Sequence, residues 1–304
     1  MSRQNNVFLY ARVSKPPIIS KNDLGEYNYG MVYLDTVRSP REFGLENGVH
    51  FSKHDHPLVF SREKEIIDRM LEWDENSIVY VKGVVSTKRI VKSSYCPNCK
   101  DDNGNASENK SDGNLVYVTP IFVETVKHHP DKDSAIEDLM AHRELSNQIF
   151  ILGTVLRDPK FITTKQGIQI AQYPIAINRK YQIRTDDPSI RTDWPIVKSY
   201  GPLARDDKTF VKYQSDVIID GFLQARTVTR KLKCACCGKE YEWKDQCMEI
   251  VPYATEYVSG YNTKEDIENE YGHSVEVHQQ ILYDSGHCDE LEPELESDDI
   301  KNDK

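Results

Sequence analysis

Long apolar runs are missing from this 304-residue chain. No stretch approaches the ~20 apolar residues of a membrane-spanning helix. The opening Met1-Ser2-Arg3-Gln4-Asn5-Asn6 offers no apolar core for a secretory signal. Membrane residence and export are therefore not expected, and the cytoplasm is the expected compartment. Catalytic signatures are missing too: there is no nucleophile elbow, P-loop or glycine-rich dinucleotide turn. His54, His56, His128 and His129 fall in two clusters without a carboxylate at metal spacing. The chain is not expected to be an enzyme. An excess of basic residues is lacking as well, with 39 Lys and Arg against 49 Asp and Glu and a net charge of −10. Taken alone, that balance argues against a polyanionic partner. Seven cysteines in a reducing compartment do not read as a disulfide framework.

The charge is unevenly placed, which changes the reading. From Asn262 onward there are 14 acidic residues against 3 lysines, whereas residues 147–258 carry 17 basic against 13 acidic ones. A mildly basic segment thus precedes an acidic tail of low hydrophobicity, which is expected to be disordered.

One signature occurs twice. Val81-Lys82-Gly83-Val84-Val85 leads to Cys96-Pro97-Asn98-Cys99, and Ile219-Asp220-Gly221-Phe222-Leu223 leads to Cys234-Ala235-Cys236-Cys237. Each glycine precedes its first cysteine by thirteen residues, and Pro120, Glu124 and Val126 recur as Pro252, Glu256 and Val258. A period this long implies two whole domains rather than a stacked array.

In the second repeat, strands are expected over Gln148–Leu156, Ile168–Asn178 and Arg191–Tyr200. A helix from Pro202 to about Tyr213 follows, then strands Asp216–Leu232 and Glu249–Val258. Three strands, a helix and two strands is the order of an OB fold, a five-stranded barrel. The first repeat gives the same order less cleanly: Val7–Val13, Tyr27–Arg38, His50–Phe60, a helix capped near Ser61 and ending near Trp73, Ile78–Val91 and Leu115–Val126. The polar stretch Lys100–Asn114 reads as a flexible hairpin tip. Between the repeats, Ser134 and Glu137 form a capping box for a helix to about Glu144, which either orients the two barrels or packs on one of them. The expected fold class is all-β. It comprises a first OB-fold domain over 1–128, a linker helix over 129–146, a second OB-fold domain over 147–260 and an acidic tail over 261–304.

Arg179-Lys180-Tyr181 ends one strand of the second repeat, Trp194 begins the next, and Lys198, Tyr200, Arg226, Arg230 and Lys231 lie on neighbouring strands. Cations that follow a phosphate backbone, interleaved with rings on which bases stack, suit single-stranded nucleic acid. Residues 146–258 resemble the bacterial single-stranded DNA-binding protein family. The resemblance rests on Ser146–Gly153 with Arg157-Asp158-Pro159, Pro174–Arg179, Thr192–Val197 with Tyr200-Gly201, and Ile219–Arg226. It implies base-stacking roles for Tyr181, Trp194 and Tyr200. The family's fourth stacking position falls on Val228, which cannot stack. It also implies a sequence-tolerant protein that protects single strands in DNA replication, recombination or transfer. An OB-fold interaction scaffold and an RNA-binding protein remain the alternatives. In the first repeat, Arg12, Arg38, Lys53, Lys88, Arg89 and Lys92 with Tyr27, Tyr29, Phe51 and Phe60 either line a second groove or belong to a barrel kept for pairing.

Paired C-x-x-C motifs in matching places read as zinc ligands, since a structural zinc takes four at tetrahedral geometry. Cys96, Cys99, Cys234 and Cys237 at two hairpin tips make one shared site. A local set of Cys234, Cys237 and Cys247 with Cys236 or an outside ligand is the alternative. The resembled family assembles four OB barrels, which implies a homodimer here. It also implies that the acidic tail, with Ile300 near its end, recruits replication or repair proteins, and as an internal polyanion the tail is expected to compete weakly with DNA for the groove.

Overall fold

The computed structural model describes residues 4–38, 54–100, 106–164, 167–179, 183 and 190–271. The tail beyond Tyr271, Lys180 and Tyr181, and Phe51 and Lys53 lie outside these residues.

The first half contains β1 (Asn5–Val13), β2 (Ile18–Lys21), β3 (Tyr27–Val37), β4 (His54–Asp55), β5 (Leu58–Ser61), α1 (Lys64–Met70), β6 (Ser77–Lys100) and β7 (Ala106–His128). Helices α2 (Lys132–Ala141) and α3 (Arg143–Ser146) lead into the second half. That half contains β8 (Asn147–Val155), β9 (Lys160–Thr163), β10 (Gln169–Asn178), β11 (Thr192–Asp193), β12 (Ile196–Tyr200), α4 (Gly201–Phe210), β13 (Asp216–Lys233) and β14 (Glu240–Ser259), followed by α5 (Lys264–Tyr271).

Strand pairing closes a circuit in each half. β1 pairs with β6, β6 with β7, β7 with β5 in parallel, β5 with β3, and β3 with β1. The second half repeats this through β8, β13, β14, β12 and β10, again with one parallel contact. Alternation explains why these segments are strands: in β10, Ala171, Tyr173, Ile175 and Ile177 are fully buried while Gln172, Pro174 and Ala176 between them are less so.

The repeated glycine and proline meet at a bend. Gly83 lies opposite Pro120 and Gly221 opposite Pro252, each beside a register shift. A β-carbon on Gly83 would come within 2.6 Å of the Thr119 carbonyl oxygen, and one on Gly221 within 2.2 Å of that of Val251. The bulge bends each long strand out of its circuit, and only glycine fits there.

Beyond the bend, β6 with β7 and β13 with β14 continue as two-stranded ribbons. Ser77–Tyr95 pairs with Glu108–His128, and Lys100 with Ala106. The polar stretch expected to be a flexible tip is thus largely strand, with residues 101–105 outside the described set. Cys96–Cys99 accordingly sits in a register shift within β6 rather than at a hairpin tip, whereas Cys234–Gly238 does form the turn between β13 and β14.

The halves join through β1 and β8, which run antiparallel from Asn5 opposite Ile151 to Leu9 opposite Asn147. One cluster of buried apolar side chains runs through both halves, from Val7, Leu9 and Val81 to Ile149, Ile151 and Ile219. Helix α2 packs Ala135 and Leu139 on Tyr10, Val37 and Ile78, all in the first half. Its cap is Asp131, whose carboxylate accepts from the Ser134 N–H at 2.9 Å. The Ser134–Glu137 capping box is therefore displaced by an acceptor three residues earlier. At α1 the Ser61 hydroxyl accepts from the Glu63 N–H, but no side chain caps the helix itself.

Candidate nucleic-acid interface and metal centre

On the second half, β12, β13 and β14 present a face on which most of the expected cations are already paired. Glu249 takes both Arg226 Nε and Nη2, at 3.0 and 3.1 Å, with the Lys198 ammonium 3.7 Å away. Burial pulls the Lys198 pKa down against Glu249. Arg226 is raised, because Glu249 outweighs its burial. Asp245 accepts from Arg230 at 2.8 Å and also from Lys92 of the first ribbon. Lys231 is exposed on the outer part of β13. Tyr200 lies beside Lys198, whose ammonium is 5.6 Å from its ring centre, and its hydroxyl donates to Gln224 at 3.2 Å. Burial pushes that phenol up to about 12. Trp194, at the break between β11 and β12, is 42% exposed. Val228 is half-buried on β13. Arg179 departs from its expected place at the surface. Its side chain is buried, with Nε and Nη2 donating to Asp193 at 2.6 and 2.7 Å and Nη1 to the Ile190 carbonyl.

Asp193 faces the other half as well. It accepts from the Thr87 N–H of the first ribbon at 2.7 Å, and the Trp194 N–H donates to the Thr87 hydroxyl at 3.0 Å. The first half returns the contact. Asp55, held by Arg38 through two hydrogen bonds at 2.6 and 2.9 Å, accepts from the Ala225 N–H of the second ribbon at 2.9 Å. Thr87 and Ala225 each lie four residues beyond the bend glycine, so the two latches are related by the duplication. Arg12, another expected groove residue, is buried against Asp35 at 3.0 Å.

Farther out, the ribbons converge on four sulfurs. Cys96 and Cys237 Sγ lie 3.8 Å apart and Cys99 and Cys234 Sγ 3.5 Å apart, with all four within 4.8 Å of one another. Around them, Ser94 and Tyr241 hydroxyls share a 2.8 Å hydrogen bond, and Asn109 accepts from the Ala235 N–H at 2.9 Å. The N–H groups of Cys237 and Cys236 pull the Cys234 thiol down to about 6. The Cys99 thiol is driven up by burial and by its sulfur neighbours. Tetrahedral coordination with metal–sulfur bonds of ~2.3 Å places sulfurs about 3.8 Å apart, which fits this spacing. Cys247 stands elsewhere, its thiol against Asp245 and Arg230, and Cys236 is exposed. Cys234 and Cys237 are thus grouped with Cys96 and Cys99 rather than with Cys247.

The chain from the end of α3 to the start of the β13–β14 turn, residues 146–235, matches the Single-strand binding protein family. Two solved structures of the single-stranded DNA-binding protein from Thermus aquaticus are similar in fold. A deletion variant has a TM-score of 0.51 at 16% identity, covering 85% of this chain and 97% of that one. The wild type has 0.51 at 14%, covering 85% and 95%. A match of 85% is longer than either half, so the likeness in fold extends over both.

In the second half, sequence reasoning found the aromatics and cations but missed the carboxylates that occupy them. Glu249 and Asp245 both point to the same face as their partners, and the strand register alone reveals it: Arg226 pairs with Cys247 and Arg230 with Trp243 across the ladder. In the first half, Tyr117 was missed beside Tyr29 and Phe60, because its strand reads as an ordinary apolar core run.

Proposed function

We propose that the protein binds single-stranded DNA with little regard to sequence and protects it during replication, recombination or transfer. The observation that carries this reading is the family match over residues 146–235, on a half whose Trp194 and Tyr200 stand beside a lysine- and arginine-bearing face. We read residues 1–128 and 147–260 as two OB-type barrels. Trp194, Tyr200 and Tyr181 serve as stacking platforms. Lys180 and Lys231 supply phosphate contacts, and Arg230, half-exposed although bound to Asp245, adds to them. Arg179, Lys198 and Arg226 act chiefly by positioning this face, since their charges are already met by carboxylates. One zinc ion is held by Cys96, Cys99, Cys234 and Cys237, where it supplies a structural cross-link between the ribbons. A homodimer is the assembly we favour. Phe122 and Phe150, on strands near the β1–β8 seam, are 43% and 41% exposed and would be covered by a second copy. The acidic tail serves partner recruitment.

The test is a fluorescence titration with oligo-dT over a range of salt. Binding should weaken steeply as salt rises, because counterions released from phosphates drive it. Absence of binding at low salt overturns the proposal. Preference for an RNA of the same length in direct competition would reassign the partner.

A further inference from the structure

The four sulfurs where the ribbons meet are not equivalent. Cys96 and Cys234 are buried, at 0% and 2% exposure, whereas Cys99 and Cys237 are only partly covered. Each buried sulfur has a partly covered partner on the opposite ribbon, Cys234 with Cys99 at 3.5 Å and Cys96 with Cys237 at 3.8 Å. The buried two are also fixed by nitrogen donors. Asn109 Nδ2 donates to the Cys234 sulfur at 3.6 Å, and the Asn98 N–H to that of Cys96 at 3.4 Å.

The contacts that hold the ribbons face to face are between protein groups alone. The Ser94 and Tyr241 hydroxyls meet at 2.8 Å, Asn109 accepts from the Ala235 N–H, and the Lys92 ammonium reaches Asp245. Leu232 and Trp243 pack beside Tyr241 and the sulfurs. When a metal leaves, these contacts keep the facing strands in register and the cross-ribbon sulfurs within reach. Closing Cys99 on Cys234 from 3.5 Å to the ~2.05 Å of a disulfide takes about 1.5 Å, which side-chain rotation supplies.

We infer that hydrogen peroxide converts the metal clip into a covalent one, in which disulfides Cys99–Cys234 and Cys96–Cys237 join the ribbons as the metal is released. This rests on the zinc reading given under the proposed function and adds the response of that site to oxidation. Peroxide meets the partly covered Cys99 and Cys237 first. Each thiolate attacks one peroxide oxygen, the O–O bond breaks, and the sulfur is oxidised to a sulfenic acid while hydroxide leaves and is protonated. The buried thiolate of the opposite ribbon then attacks the sulfenic sulfur. An S–S bond forms, and a second hydroxide leaves and is protonated. Both disulfides together consume two peroxides and four protons and yield four waters. Cys236, exposed on the same turn, and Cys247, beside Arg230, take no part.

Trypsin separates the possible products, because its sites isolate the two cysteine pairs. Cleavage after Lys92 and Lys100 frees residues 93–100 with Cys96 and Cys99. Cleavage after Lys233 and Lys239 frees residues 234–239 with Cys234, Cys236 and Cys237. The zinc-loaded chain is treated with hydrogen peroxide, alkylated, denatured and digested without reductant, while a chromogenic chelator follows zinc release. Mass spectrometry should find the two peptides joined and four hydrogens lighter than their sum, with Cys236 alkylated. Separate peptides, each two hydrogens light, would mean disulfides within each ribbon and overturn the inference, as would sulfinic acids without any disulfide. Cys236→Ser should give the same joined product, and its loss in that variant overturns the pairing. The chain stripped of metal beforehand should also give it, so a protein that never binds zinc would refute the zinc reading while the digest still decides the pairing. As a second measurement, oxidation should raise the urea midpoint of the metal-free protein, because Cys99 and Cys234 lie 135 residues apart and joining them constrains the unfolded chain. A midpoint no higher than that of the reduced protein overturns the covalent clip.

Discussion

Asp193→Ala should be among the most damaging single changes outside the apolar core. The wild-type carboxylate is fully buried and receives three donors within 2.7 Å: two from Arg179 and the backbone N–H of Thr87. Truncation leaves the Arg179 guanidinium, itself buried, without its counterion. Breaking a buried pair from one side destabilises by about 3–5 kcal/mol. The Thr87 N–H also loses its acceptor, for which ~1–3 kcal/mol is usual. The two losses share one site and water will enter it, so about 4 kcal/mol is the expected total. Asp193→Asn keeps an acceptor for Thr87 and should lose about 2–3 kcal/mol, mostly through the uncompensated arginine. Urea unfolding followed by tryptophan emission measures both, and a cycle with Arg179→Met isolates the pair. A coupling above about 2 kcal/mol is expected. Were Asp193→Ala to shift stability by less than about 1 kcal/mol, the value of an exposed pair, the latch reading would be wrong. Asp55, equally buried and bound to Arg38 and the Ala225 N–H, should behave the same way.

Two other outcomes follow from buried polar groups. Asp207, buried among the hydroxyls of Ser199, Tyr173 and Tyr257, has its pKa pushed up to about 6 by burial, against the donors. The folded carboxyl thus holds its proton more tightly than the unfolded one. Its contribution is full below about pH 4 and is lost as pH rises through about 6, amounting to ~3 kcal/mol. Asp207→Asn should remove that slope from denaturant-derived stabilities measured between pH 4 and pH 8, and an unchanged slope would contradict this. Metal analysis should find one zinc per chain, abolished by Cys99→Ser. Chelation should open the β13–β14 turn to protease while leaving the two circuits folded, whereas simultaneous loss of both would show the site to be part of the core.

Much of the strand framework was legible, because burial leaves an alternating print. The run from Ile168 to Asn178 shows it, with Ala171, Tyr173, Ile175 and Ile177 inward. The glycine-to-cysteine spacing likewise marked both ribbons and the four sulfurs they bring together. The ribbons' length was not legible. Lys100–Asn114 is polar and reads as loop, yet its described residues 106–114 are strand, held by partners on the other ribbon: Asn109 bonds the Ala235 N–H, and nearby Ser94 bonds Tyr241. Short β9, Lys160–Thr163, was missed because only its pairing with β10 makes it a strand. The β1–β8 seam was invisible for a related reason, since Val7 and Ile149 look like residues of two separate cores. Arg179 was misplaced because sequence shows a charge but not the carboxylate fourteen residues on that buries it.

The duplication separates positions under backbone constraint from those under none. Asn5 donates to and accepts from Val85 across the ladder, at 2.9 and 2.8 Å, and Asn147 does the same with Leu223, at 2.9 and 3.0 Å. The bend glycines, the facing prolines and the two arginine–aspartate latches likewise meet main-chain groups at close range. Few other side chains satisfy such a contact, and a buried main-chain donor left unmet is expensive. Both copies therefore carry the same residues there. Tyr29, Phe60 and Tyr117 stand at the register positions of Ile170, Lys198 and Glu249, where ring contacts in one copy replace an ion pair in the other. Such a set can change chemistry as a unit without moving a strand. A chain built this way can hold one rigid framework while carrying rings in one half and ions in the other.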